Sequence, residues 1–221
     1  MDISSYIDHT LLKAVATENE IIQLCNEALE YQFFAVCVNS SYVPLCQSVL
    51  QSSAVKTAAV VGFPLGASDT ATKVFEAQKA IENGADEIDM VIHIGMLKDK
   101  KMAEVEREIN AIKTGIGEKI LKVIIETCYL TDEEKKTATQ LTVNAGADFV
   151  KTSTGFGTGG ATLADVALMR SVTKDYIKIK ASGGIRDFAT AQQYIAAGVS
   201  RIGTSNGIQI VSGISGNENL Y

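Results

Sequence analysis

Histidine is the scarcest chemistry in this chain: only His9 and His93 occur. Two imidazoles are too few for a metal centre built on several histidines, so no metal is expected. Tryptophan is absent, and proline occurs only at Pro44 and Pro64, so no Pro-rich linker divides the sequence. The four cysteines, Cys25, Cys37, Cys46 and Cys128, include no CxxC pair, and read as reduced thiols in a reducing compartment. Basic residues are in deficit, 20 against 26 acidic, for a net charge of -6. That balance speaks against a nucleic-acid or acidic-membrane partner. It leaves an anionic small molecule open, because a phosphate is gripped locally. No apolar run approaches the ~18 residues of a membrane span. The opening residues Met1 to Ser5 lack the basic and apolar regions of a signal peptide, and a cytoplasmic protein is expected. No GxSxG occurs, so a serine triad is not suggested.

What is present is an ordinary globular composition, 46% hydrophobic and 21% charged over 221 residues, which suits one domain. Short β-branched runs recur at 34–38, 55–61, 87–92, 121–125, 149–152, 177–181 and 201–204. Helical patterns stand between them, among them 72–83, 102–114, 131–144, 163–172 and 188–197. Strands alternating with helices imply βαβ units and a parallel sheet. Closing a barrel needs an eighth strand, for which 6–11 is the candidate. A doubly wound open sheet is the alternative, although no GxGxxG follows the first strand to support a dinucleotide site. The segment 213–221 reads as linker and tag remnant, and is given no role.

Alternate residues of a strand face one side, so Phe149, Lys151 and Ser153 share a face, as do Lys178, Lys180 and Ser182. Lys151 and Lys180 lie near the C-terminal ends of their strands, before glycine-containing loops. In a barrel that is the catalytic rim. Two ammonium groups aimed at one cavity disfavour each other's charge, and a lysine so placed can attack a carbonyl as a free amine. The alternative is that both strand-end lysines point to solvent. Parity does not say whether Lys178 or Lys180 approaches Lys151. Asp89 shares a face with Glu87 and Val91 inside an apolar run. A buried carboxylate needs a cation or a hydrogen-bond network; it serves either proton relay or a structural Asp–Lys pair. Cys37 has no visible activating partner and reads as a small core residue.

Three glycine-rich loops follow the last three strands: 155–160, Gly183-Gly184, and 203–207. Glycine lets backbone N–H groups approach an anion, and barrels often hold phosphate after strands seven and eight. Tight turn geometry explains Gly159 and Gly160.

The segments Ile7-Asp8-His9-Thr10-Leu11-Leu12-Lys13, Ala35-Val36-Cys37-Val38-Asn39, Val61-Gly62-Phe63-Pro64-Leu65-Gly66 and Glu87-Ile88-Asp89-Met90-Val91-Ile92 resemble those of bacterial deoxyribose-phosphate aldolases. So do Val123-Ile124-Ile125-Glu126-Thr127, Phe149-Val150-Lys151-Thr152-Ser153-Thr154-Gly155, Lys180-Ala181-Ser182-Gly183-Gly184-Ile185-Arg186 and Arg201-Ile202-Gly203-Thr204-Ser205. The resemblance runs in order from Ile7 to about Gly207. It implies a single-domain (β/α)8 TIM barrel over 1–212 with a short N-terminal helical segment, the N-terminal strand supplying the eighth. It implies Lys151 as the Schiff-base lysine, Lys180 as the residue that lowers its proton affinity, and Asp89 as a proton relay through water. Asp8 and Cys37 match positions lining the substrate site. Gly155, Gly183, Gly184, Gly203, Ser205 and Asn206 match a phosphate cradle. The implied reaction is reversible cleavage of 2-deoxy-D-ribose 5-phosphate into D-glyceraldehyde 3-phosphate and acetaldehyde, without cofactor, in a homodimer or larger homo-oligomer. Two positions depart from the family pattern: His93 stands where Asn is expected, and Asn206 where a second Ser is usual. Some members use a C-terminal tyrosine, but Tyr221 lies in the tag-like segment. Rival readings are another Schiff-base sugar-phosphate lyase and a sugar-phosphate-binding barrel without turnover.

Overall fold

The computed structural model describes residues 2–213. Apart from Gly213, the tag-like segment and Tyr221 fall outside the described residues. Eight strands form one closed, all-parallel barrel in sequence order: β1 (Ile7–Leu11), β2 (Ala35–Asn39), β3 (Lys56–Val61), β4 (Glu87–Val91), β5 (Ile120–Ile124), β6 (Phe149–Lys151), β7 (Lys178–Ser182) and β8 (Arg201–Thr204). The open-sheet alternative is excluded because β1 pairs with both β2 and β8, setting Asp8 opposite Ala35 and Gly203. The candidate strand at 6–11 is therefore real. It follows a 3-10 turn at Ser4–Tyr6, the short N-terminal helical segment.

The helices are α1 (Glu18–Glu30), α2 (Val43–Leu50), α3 (Thr70–Glu82), α4 (Ile94–Lys98), α5 (Met102–Ile116), α6 (Asp132–Asn144), α7 (Leu163–Thr173), α8 (Phe188–Ala196) and α9 (Gly207–Ser212). Their starts are written locally. Thr17 and Glu20 form a capping box before α1, and Thr131 and Glu134 form another before α6. Asp69, Thr162 and Asp187 cap α3, α7 and α8 with side-chain oxygens. Each satisfies backbone N–H groups that a helix start leaves open.

Strand parity divides the core in two. Outward residues such as Val36, Val38, Ala59, Val61, Ile88 and Met90 pack with the helices in one continuous apolar cluster. Inside the barrel the apolar cluster is small, made of Leu12, Cys37, Ala58 and Val60 with Phe63 against it. Val91, Ile124 and Phe149 also share the inward faces, and the long side chains between them are charged. Small inward residues (Cys37, Ala58 and Gly203) leave room for long ionic side chains there. At Gly203 an added Cβ would come within 3.1 Å of Lys180 Cε.

Candidate active site

Three carboxylates and four cationic side chains project into the lumen, and all are buried: Asp8, Glu87 and Asp89 against Lys122, Lys151, Lys180 and Arg201. The register sets them side by side, pairing Asp89 with Lys122, Lys151 with Lys180, and Lys180 with Arg201 on adjacent strands. Asp89 Oδ2 accepts from Lys151 Nζ at 2.8 Å and from Lys180 Nζ at 2.8 Å. Its other oxygen accepts from Lys122 Nζ at 2.7 Å. Lys180 also donates to Asp8. Arg201 bridges Asp8 at 2.6 Å and Glu87 at 2.7 Å, with its guanidinium 3.2 Å from the Phe34 ring centre. Lys122 completes the circuit to Glu87 at 2.6 Å. The predicted triad Asp89, Lys151 and Lys180 thus meets at one carboxylate oxygen. The contest between Lys178 and Lys180 ends with Lys180, because Lys178 opens β7, is exposed, and stacks at 5.7 Å from the Phe149 ring centre at the opposite mouth.

Burial pushes each ionic group of the lumen toward its neutral form, and the neighbours decide the outcome. For Asp89, the ammonium groups of Lys122, Lys151 and Lys180 outweigh burial and hold the carboxyl well below the usual range. For Asp8, Lys180 and Arg201 outweigh it and bring the value down to about 2. Burial opposes the charge on Lys180, but Asp8 and Asp89 reverse it and hold the ammonium above the ordinary lysine range. Lys122 and Arg201 are raised in the same way by the carboxylates beside them. Cys37 goes the other way: burial, then Asp89, push its thiol up. Its Sγ lies 4.0 Å from Asp89 Oδ2, so it is a packed thiol against the carboxylate and not a nucleophile. Lys180, Lys122 and Arg201 are therefore fixed cations, and Asp8 and Asp89 fixed anions. Among the described residues the lumen thus holds four basic side chains against three acidic ones. A dry interior disfavours an uncompensated charge, and Lys151 is the lysine that reaches the cleft above.

That cleft is lined by Lys151, Thr154, Gly155, Phe156, Ser182, Gly183, Gly203, Thr204 and Ser205, with residues 10–13 of the β1 end opposite. Four predicted cradle positions, Gly155, Gly183, Gly203 and Ser205, line it together. Gly155 and Gly183 adopt positive φ, 88° and 85°, conformations that suit glycine. Gly184 follows Gly183 but is exposed and outside the lining, and the side chain of Asn206 is buried. Asn206 Oδ1 accepts from Ser205 Oγ at 3.3 Å, and its N–H donates to Thr204 Oγ1 at 2.9 Å. Asp8 and Cys37 lie beneath the lining, in contact with Lys180 and Asp89 respectively. Gly160 does more than shape a turn: an added Cβ would meet the Gly183 carbonyl at 2.3 Å, so the two loops touch backbone to backbone.

Several supporting residues carried no signal in the sequence reading. Glu126, just after β5, sits at φ 53°, a left-handed conformation rare for a side-chain-bearing residue. Its buried carboxylate accepts the Thr154 N–H at 3.2 Å and the Thr154 hydroxyl. It thereby anchors the loop that leaves Lys151. Behind β4, Lys73 on α3 and Glu108 on α5 form a fully buried pair at 2.8 Å. Lys73 also donates to the Val91 carbonyl at 3.0 Å, and Glu108 accepts the His93 N–H at 3.1 Å, which fixes the end of the strand bearing Asp89. His93 caps α4 with Nδ1, accepting from Met96 N–H at 3.1 Å. An asparagine could make the same cap, so the departure at this position is a helix-start substitution.

Comparison with known proteins follows the same lines. The family model described as DeoC/LacD family aldolase matches residues 3–213. The deoxyribose-phosphate aldolase of Coprothermobacter proteolyticus is 56% identical over 211 residues, covering 96% of each chain. That of Thermococcus gammatolerans is 57% identical over 217 residues, again covering 96% of each. A solved deoxyribose-phosphate aldolase from Aeropyrum pernix, described as a tetramer, superposes with TM-score 0.87 at 34% identity, covering 95% of this chain and 89% of its own. With the lumen lysines and the glycine-lined cleft in place, this chain belongs to the DeoC/LacD family of aldolases.

Proposed function

We propose that this protein reversibly cleaves 2-deoxy-D-ribose 5-phosphate into D-glyceraldehyde 3-phosphate and acetaldehyde through a Schiff base on Lys151. The observation that carries the reading is the shared oxygen of Asp89, 2.8 Å from the Nζ of both Lys151 and Lys180, at the floor of a cleft with a glycine-rich end. The neutral amine of Lys151 attacks C1 of the open-chain aldehyde, and loss of water from the carbinolamine gives an iminium. The iminium is an electron sink. The C3 hydroxyl gives up its proton, the C2–C3 bond breaks, and its electron pair moves toward nitrogen as an enamine. Glyceraldehyde 3-phosphate departs. The enamine takes a proton at C2, and water hydrolyses the resulting iminium to free acetaldehyde and Lys151.

In this reading Lys180 acts as a permanent cation. It favours the neutral amine at Lys151 and holds Asp89 in place. Asp89, kept ionised by the cations around it, accepts hydrogen bonds from the attacking amine and polarises the water that moves protons. Gly155, Gly183, Gly203 and Ser205 receive the phosphate, with Gly184 and Asn206 supporting their loops. Self-association is part of the proposal. The test for the site is borohydride reduction in the presence of acetaldehyde, followed by peptide mass spectrometry. An ethyl group on Lys151 is the expected product. Lys151→Leu should lose both adduct and turnover while keeping its fold. An adduct on a different lysine would move the site, and binding of the sugar phosphate without any adduct would replace the enzyme by a sensor.

A further inference from the structure

The cradle predicted for the phosphate is neutral: Gly155, Gly183, Gly203 and Ser205 offer backbone and hydroxyl groups but no charge. A phosphate monoester carries about -1.5 to -2 near neutrality, and taking it from water requires compensation. Among the described residues lining the cleft, the cations are Lys151, on the floor, and Lys13, at the end of the β1 loop. We propose that Lys13 docks the phosphate of the substrate and sets the preference for phosphorylated over free sugars. The proposal rests on the Schiff-base reading above and adds a residue to it.

Three observations support this assignment. Lys13 lines the cleft together with Gly203 and Ser205, just after the strand that pairs with β8, and it also lines the neighbouring groove between β1 and α1 with Glu20 and Ser205. Its backbone is held while its ammonium is not. Leu12 is buried in the lumen cluster, and the Lys13 carbonyl accepts from Ala16 N–H at 3.1 Å. Among the described residues the Lys13 side chain makes no hydrogen bond or ion pair, in contrast to every charged side chain of the lumen below. Its charge acts on Glu20, whose carboxylate is already engaged by Thr17 N–H at 2.7 Å in the capping box. A half-buried lysine with a fixed stem, a free head and an occupied counter-ion can swing a few ångströms toward an arriving anion.

The test compares Lys13→Met and Lys13→Arg with the parent on 2-deoxyribose 5-phosphate and on 2-deoxyribose. A charge-assisted hydrogen bond to phosphate predicts an increase in KM for the phosphorylated sugar of about 10- to 100-fold in Lys13→Met. The kcat for that substrate should hold, the ratio of kcat/KM between the two sugars should collapse, and Lys13→Arg should restore most of it. Equal losses on both sugars would make Lys13 a structural residue, and an unchanged KM would remove it from the phosphate site. Borohydride trapping of acetaldehyde on the same variant separates this proposal from its parent, since acetaldehyde has no phosphate. Trapping that persists at Lys151 beside an unchanged KM defeats the role of Lys13 alone. Loss of trapping in the unmodified protein defeats the Schiff-base reading itself.

Discussion

Lys122 tests the electrostatic account of the lumen most directly. Its side chain is fully buried, and its Nζ sits 2.6 Å from Glu87 and 2.7 Å from Asp89. Lys122→Met keeps most of the volume with an adaptable apolar chain and removes the charge. Glu87 retains Arg201, and Asp89 retains two ammonium groups on Oδ2, but Asp89 Oδ1 is left buried without its partner. Removing one member of a buried ion pair costs about 3–5 kcal/mol. In a chain of this size each kcal/mol moves the melting temperature by about 2–4 °C, so calorimetry should show a loss of roughly 6–20 °C. The catalytic consequence follows from geometry. With Lys122 gone, Asp89 loses the cation that holds its Oδ1 and is free to shift beneath Lys151. Acetaldehyde release should fall. A melting temperature within about 2 °C of the parent, or undiminished acetaldehyde release, would refute the account.

Three further outcomes follow from the same geometry. The folded Asp8 carboxyl lies at about 2 against an ordinary value of 3.8; a depressed acid stabilises above its free value, and that contribution is lost as pH falls from 3.8 through 2. Acid titration of the unfolding free energy should therefore steepen in that window by about 2 kcal/mol, and Asp8→Asn should flatten it. Gly203→Ala places a methyl 3.0 Å from Ser182 Cβ and 3.1 Å from Lys180 Cε; chemical denaturation should show about 1–3 kcal/mol of overpacking together with a lower kcat as Lys180 is displaced. Thr154→Val leaves the buried Glu126 carboxylate short of one donor, and should cost about 1–3 kcal/mol with a raised KM, both measurable in one preparation.

The barrel was legible because its strands are short β-branched runs whose parity is unambiguous. Even the weak candidate at 6–11 proved to be β1, which closes the sheet. Asp89 stood out as a carboxylate in an apolar run. Lys122 offers the same signal, a lone charge between Leu121 and Val123 on the fifth strand, and the argument used for Asp89 would have found it. The choice between Lys178 and Lys180 depended on where β7 begins relative to the barrel floor, a tertiary fact that parity does not contain. Glu126 left no trace because its role depends on a left-handed backbone and on a loop 28 residues away in sequence. Spacing places the cradle only at the level of loops, and its six residues come from the family resemblance. Which of their residues face the cleft depends on turns that carry Gly184 to the surface and bury Asn206.

The charged lumen also constrains how this protein can be improved. Buried ion clusters replaced by well-packed apolar side chains are often as stable or more so, by 1–4 kcal/mol in comparable cases, roughly. A search that selects for heat resistance alone would therefore drift toward Leu, Met and Phe inside the barrel and recover robust, inert variants. Libraries meant to harden the catalyst are better confined to the exposed faces of the helices and the loops at the barrel floor. Those aimed at new aldehydes belong on the rim around Phe156 and Lys13, where side chains can change without disturbing the ionic circuit beneath.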